Sequence, residues 1–164
     1  MIEVAEVPLP VTALVQRMEA HNIILDREGS EDWQRINLIE DELAALPQQE
    51  MPTDHVFTHG LYTRSIFIPA GSLLTSRIHL FQHPFIISLG SVSVWMDSKI
   101  GWQFLQAPYI GVTEAGTRRI LYAHTDVIWT TTHLNPDNGI DPDKLVMQLT
   151  YTGGKFKEIG GAKT

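Results

Sequence analysis

From residue 51 onward the chain consists of short runs rich in Ile, Val, Thr, Phe and Trp, broken by Gly or Pro at spacings of about ten residues. That spacing accommodates strands of ordinary length joined by turns and leaves no room for long helices. The predicted strands are Tyr62 to Ile68, Leu73 to Leu80, Phe85 to Ser88, Ser91 to Met96, Trp102 to Gln106, Gly111 to Thr113, Arg119 to Ala123, Val127 to His133 and Lys144 to Tyr151. Within SVSVW the alternation is strict: Val92 and Val94 fall on one face, and Ser91, Ser93 and Trp95 on the other. A strand of that kind buries one face and wets the other. Many short strands with these punctuations specify a mainly β chain, an antiparallel barrel or sandwich.

The first fifty residues have a different chemistry. They hold eleven acids and three bases, against eight acids and nine bases in the remainder. Val11, Leu14, Val15 and Met18 recur at helical spacing, and His21 follows as a helix-end residue. Ser30, followed by Glu31 and Asp32, has the form of a helix cap. Trp33, Ile36, Ile39, Leu43 and Leu46 then mark an amphipathic helix that Pro47 stops. On that helix Glu40, Asp41 and Glu42 are expected to form the solvated face. The resulting division is an acidic helical extension over residues 1–50, a linker through PQQEMPTDH into a β-barrel over 51–152, and a flexible tail over 153–164.

The formal net charge of -7 argues against nucleic acid or an anionic membrane as the main partner, since both call for a basic face. With no cysteine in the chain, disulfides, thiolate metal sites and cysteine nucleophiles are excluded. The opening MIEVAEVPLP lacks the basic and apolar stretches of a secretory leader, and no apolar run approaches membrane-spanning length. A cytoplasmic protein is the expectation. Neither GVTEAG nor TGGKFKEIGG has the spacing of a phosphate-cradling loop, and a Gly-x-Ser-x-Gly turn is lacking, so nucleotide hydrolysis and serine hydrolysis have no local support.

Six of the seven histidines lie between residues 55 and 133, in the β-rich part. Neutral imidazole is a common ligand of transition metals, and a chain without cysteine must build such a site from histidine and carboxylate. In SRIHLFQHPFIISLG, His79 and His83 stand four apart; the β context places His79 at the end of one strand and His83 at the start of the next. ILYAHTDVIWTTTH reads as a hairpin in which Ala123 pairs with Asp126, Arg119 faces Thr130 and Gly116 faces His133. His133 would thereby return to the end of the sheet where GTRR begins. His124 falls at the hairpin turn, His55 and His59 beside the linker, and all three are expected at the surface. Of Trp95, Trp102 and Trp129, two are expected in the core.

The stretch IPAGSLLTSRIHLFQHPFIISLGSVSVW resembles the first motif of the cupin superfamily, in which His-x-His precedes a Glu and then a Gly at fixed gaps. Aligned on Gly90, His83 takes the place of the motif's Glu, His79 that of its second His and Arg77 that of its first His. EAGTRR resembles the second motif, with Arg119 at its histidine. PAGSLLTSRIH, HPFIISLG, GTRRILYAH and WTTTH also follow the order found in small cupin-like proteins carried by bacteriophages and prophages. The resemblance implies a cupin-like antiparallel β-barrel (a double-stranded β-helix, or jelly roll) with an N-terminal α-helical extension. If the barrel closes as in cupins, His79, His83 and His133 form a three-histidine site for a divalent transition metal such as zinc, iron, manganese or nickel, in a metal-dependent enzyme or a binding protein. Arg77 and Arg119 would then flank the mouth as clamps for a small anionic ligand. Two further possibilities stand beside it. In one, the arginines replace the metal, with Glu114 or Asp126 as their partners, and the pocket holds a phosphorylated ligand. In the other, the barrel is a homo-oligomeric scaffold, in the host cytoplasm or in a phage particle.

Overall fold

A computed structural model describes residues 11–151, with the side chains of the first helix described from residue 18 onward. Helix α1 (Val11–Glu28) and helix α2 (Glu31–Ala44) precede nine strands: β1 (Thr53–Thr58), β2 (Gly60–Ile68), β3 (Leu73–Thr75), β4 (His83–Leu89), β5 (Ser91–Trp95), β6 (Trp102–Gln106), β7 (Tyr109–Thr113), β8 (Ile120–Ala123) and β9 (Val127–Asn135). Helix α3 (Pro142–Leu149) follows. The tail lies outside the described residues, as do the side chains of Val11, Leu14 and Val15.

The strands form two sheets, ordered β1-β2-β9-β4-β7 and β3-β8-β5-β6. The antiparallel pairs are nested: β2 with β9, β3 with β8, β4 with β7 and β5 with β6. They amount to one long four-by-four hairpin rolled on itself, and the pairs β4 with β9 and β5 with β8 close the roll. This is the jelly-roll connectivity, the double-stranded β-helix of cupins, with β1 added as a fifth strand on one edge. Between the sheets lies a core of Ile68, Phe85, Ile87, Val92, Val94, Leu121, Ala123, Val127 and Trp129. Val92 and Val94 are buried as the alternation in SVSVW predicts, but on the opposite face Ser91 is buried too. Trp129 is buried, Trp95 packs partly buried beneath the helices, and Trp102 is exposed.

Glycine is required at two points of the roll. Gly90 links β4 to β5 at φ +82°, where a Cβ would collide with the carbonyl of Asp126. Gly111 on β7 lies under the Phe85 ring, and a Cβ there would sit 2.5 Å from Cζ of that ring.

Several sequence expectations are corrected. The segment expected as a strand from Lys144 to Tyr151 is helix α3 over most of its length. Asp141 caps it through Asp143 N and Lys144 N, Pro142 occupies its first turn, and Leu145 and Leu149 bury one face at i, i+4 spacing. Part of the expected linker is β1, paired along its whole length with β2. Helix α1 continues past His21 to Glu28 and buries Ala20 and Ile24, while Met18 is 67% exposed. Glu40 does not belong to a solvated face either: only 4% exposed, it receives Arg118 at 2.7 Å. Arg118 also donates to Asn37 Oδ1 and lies over the Trp33 ring, so a buried ion pair ties α2 to the loop before β8. Around it Ala20, Ile24, Trp33 and Ile36 pack on Ile78, Leu80 and Ile120, joining the helices to the outer side of the smaller sheet.

Candidate metal centre

Three histidines meet at one end of the roll. His83 opens β4 and, by alternation with Phe85 and Ile87, points between the sheets. His133 lies near the end of β9, opposite Tyr62 on β2. His79 stands in the segment after β3 and is held by its backbone. It bridges Thr150, its carbonyl accepts from Gly116 N (2.8 Å), and on either side Leu80 N donates to Leu149 O (2.8 Å) and Tyr151 N to Ile78 O (2.9 Å). The end of α3 therefore supplies one wall of the site.

The expected hairpin between β8 and β9 does not form, because the two strands belong to opposite sheets. Thr130 faces Ser65 and Ile86, not Arg119, and the partner of His133 is Tyr62, not Gly116. His133 stands beside His83, because β9 pairs with β4 in the same sheet with Phe85 opposite Thr131, and His79 meets both from the segment after β3. His124, in the β8 to β9 connection, is exposed and shares a 2.7 Å hydrogen bond with Ser93. His55 bonds Tyr62 Oη through Nδ1 at 2.7 Å, and His59 is exposed.

The ring centroids are 4.3 Å apart for His79 and His83, 5.3 Å for His79 and His133, and 4.3 Å for His83 and His133. One nitrogen from each ring lies within 4.8 Å of the other two. The Nδ1–H of His83 donates to the Phe81 carbonyl (3.1 Å), leaving Nε2 free to face the cluster. A hydrogen bond of 3.0 Å joins Nε2 of His133 to the Thr131 hydroxyl, and Nδ1 of His79 is buried with no hydrogen-bond partner. Buried imidazole nitrogens are rarely left so, because the missing bond costs the desolvation of the group.

Electrostatics keep all three rings neutral. Burial drives His79 well below the ordinary histidine range, and His83, His133, Arg64 and Arg119 reinforce the shift. Burial is also the main cause for His83, partly opposed by its bond to Phe81, and for His133, which is pushed down to about 3. Neutral imidazole is the form that ligates a metal. The observations of this cluster therefore fit a divalent transition ion: three neutral donors converge, one is oriented by a backbone carbonyl, and another lacks a protein partner.

Around the cluster the charges are positive. Arg64, half-buried on the inward side of β2, acts on His79 and His133; Arg119, 6% exposed, acts on His79 and His83. Arg77 is exposed, and its charge bears on Arg64. Neither suggested carboxylate pairs with these arginines: Glu114 accepts from Gln82 and Asp126 from Ala70 N. Sequence reasoning missed Arg64 and Tyr62, which stacks on His133 with ring centroids 6.1 Å apart. The period-2 pattern of LYTRSIFI does set Tyr62, Arg64, Ile66 and Ile68 on one face, but only the register with β9 shows that this face meets His133.

Fold and site together define a jelly-roll protein with a three-histidine cluster in its mouth. No family model matches the chain, and no curated protein does. Solved structures with a similar fold include an uncharacterized conserved protein with a double-stranded β-helix domain from Klebsiella pneumoniae (TM-score 0.46, 16% identity, covering 61% of this chain and 84% of that one). Others are a cupin superfamily protein from Desulfitobacterium hafniense (0.42, 10%, 56% and 86%) and a putative acetylacetone dioxygenase from Methylibium petroleiphilum (0.45, 18%, 56% and 71%).

Proposed function

We propose that this chain is a cupin-like barrel that binds one divalent transition-metal ion through His79, His83 and His133 and takes a small anionic ligand beside it. The observation that carries the proposal is the convergence of three neutral imidazoles, with His79 Nδ1 buried and unpartnered. Zinc, iron, manganese and nickel all accept such donors. Bound by three protein nitrogens, the ion would keep open positions and supply Lewis-acid or oxygen-activating chemistry. The Phe81 carbonyl orients His83, the Thr131 hydroxyl orients His133, and the backbone bonds of the α3 terminus fix His79. Arg64 and Arg119 give the mouth a positive potential within an acidic molecule, favouring anions over cations as the second ligand. Elemental analysis of full-length protein purified without a histidine tag is the test. About one equivalent of a transition metal is expected after supplementation, and a wild type that holds no more than a His79→Ala, His83→Ala double variant would contradict the proposal.

A second reading, a self-associating scaffold in the cytoplasm or in a phage particle, is favoured by the outer face of the larger sheet. There Val56, Leu61, Ile86, Ile110, Val112 and Leu134 are each more than 40% exposed, and the hydroxyls of Thr63 with Thr132 and Ser65 with Thr130 pair with each other. A second copy, carrying the same excess of negative charge, meets least repulsion on such a face. Light scattering of wild type and Ile110→Lys distinguishes the cases: a dimer converted to monomer supports self-association, and two monomers oppose it.

A further inference from the structure

Beside the histidine cluster the two sheets enclose a half-open cavity of about 90 Å³, lined by Phe85, Val94, Met96, Leu105, Tyr109 and Arg119 among others. We infer that this cavity is a subsite for a short-chain monocarboxylate, whose carboxylate pairs with Arg119 and whose alkyl chain lies against Phe85, Val94 and Leu105. The inference deepens the anionic half of the proposed function and rests on it, but it does not depend on the metal.

Arg119 is the anomaly that leads there. More than nine-tenths buried, it has an Nε with no hydrogen-bond partner, and its guanidinium lies over the Phe85 ring at 5.1 Å. Among the described residues the ion pairs join Arg35 to Glu31, Arg118 to Glu40 and Lys144 to Asp141, so Arg119 has no carboxylate of its own. Its neighbour in sequence shows the contrast, since Arg118 is buried with Glu40 as counter-ion. A guanidinium with a buried, unpartnered Nε and no carboxylate beside it is costly to hold unless a ligand supplies an anion. Guanidinium and carboxylate match in a planar, two-point geometry.

The rest of the cavity selects against other anions. Apart from Arg119, the Gln103 amide and the Tyr109 phenol its walls are hydrocarbon, thioether or aromatic, so a phosphate would set some of its oxygens against apolar surface. The volume sets the length. At about 30 Å³ per small group, 90 Å³ admits about three non-hydrogen atoms, the alkyl chain of butyrate when its carboxylate sits at Arg119. Gly111 contributes by keeping the Phe85 ring in place, since a Cβ there would strike it.

The test is calorimetric titration of the full-length protein with acetate, butyrate, octanoate and inorganic phosphate, before and after removal of metal by chelation. Saturable binding of butyrate to both forms is expected, at least tenfold tighter than acetate, octanoate or phosphate. Arg119→Gln should weaken it at least tenfold, and so should Leu105→Trp, which fills the cavity and leaves the guanidinium in place. Far-ultraviolet circular dichroism identifies any variant that fails to fold, and Leu105→Trp keeps the proposal testable if Arg119→Gln is one. Phosphate binding as tightly as butyrate, no carboxylate binding, or undiminished butyrate binding in folded Leu105→Trp would each overturn the subsite. Metal retention is read separately, so a protein that binds butyrate but no metal sinks the metal proposal alone, and one that binds metal but no carboxylate sinks the subsite alone.

Discussion

The contrast between Arg118 and Arg119 shows how much a single residue's surroundings decide. Both follow Thr117 on the way into β8 and both are buried, yet one is neutralised by Glu40 and the other faces a cavity. Removing Glu40 would take from the buried Arg118 the carboxylate it meets at 2.7 Å. The Glu40→Ala protein should lose about 3–5 kcal/mol of stability in urea denaturation, whereas Glu42→Ala, at an exposed position, should lose less than about 0.5 kcal/mol. The histidines make a pH-dependent contribution. Each is held neutral in the folded chain but titrates near its ordinary value of 6.5 when unfolded, so the unfolded chain takes up more protons below that value. Their contribution is therefore complete above pH 6.5 and is lost as the pH falls, for His133 down to about 3. Thermal denaturation of the metal-free protein should show a melting temperature that declines from pH 7 to pH 4, and His133→Asn should decline less steeply. Equal slopes would show that His133 is not held neutral by the fold.

Among the elements, α3 departs most from its sequence pattern, and it is also the one that fixes His79. KLVMQLTY looks strand-like because Leu145, Met147 and Leu149 alternate with Lys, Val and Gln. The same leucines stand four apart, and Asp141 with Pro142 provides a helix start that outweighs the alternation. Leu145→Ala should cost about 2–5 kcal/mol by leaving a void against Tyr62 and Leu149. It should also weaken metal binding, because the Leu149 carbonyl and Thr150 anchor the His79 segment; equilibrium dialysis against zinc measures this. The β8 to β9 connection failed as an expectation for a related reason. Ala123 and Asp126 are close enough in sequence for a hairpin, but most consecutive strands of this roll, β8 and β9 among them, cross between sheets, and short-range turn signals do not record that crossing. β6, which pairs with its neighbour β5, was legible residue for residue over Trp102–Gln106, whereas β1, which pairs with its neighbour β2, was not. The nested long-range pairs could be expected only through the family resemblance.

For the whole molecule, the sequence carried the division into helices followed by a β-roll, and it placed His79, His83 and His133 on the short list. It did not carry Arg64 or the buried state of Glu40, because both depend on registers and packing between segments distant in the chain. The net charge of -7 pointed away from nucleic acid and anionic membranes as main partners, and the charges bearing on the histidines are Arg64 and Arg119. Local potential at the mouth and overall charge thus have opposite signs, and ligand binding should follow the local one. No helix among the described residues is long and apolar enough to cross a membrane.

The central claim is that the three imidazoles hold one ion. X-ray absorption of zinc-loaded, full-length, untagged protein tests it most directly. Three imidazole nitrogens at about 2.0–2.1 Å from the metal are predicted, with the remaining ligands being oxygen. A spectrum showing fewer than two imidazoles, or one unchanged in a His83→Ala variant that still binds zinc, would contradict it.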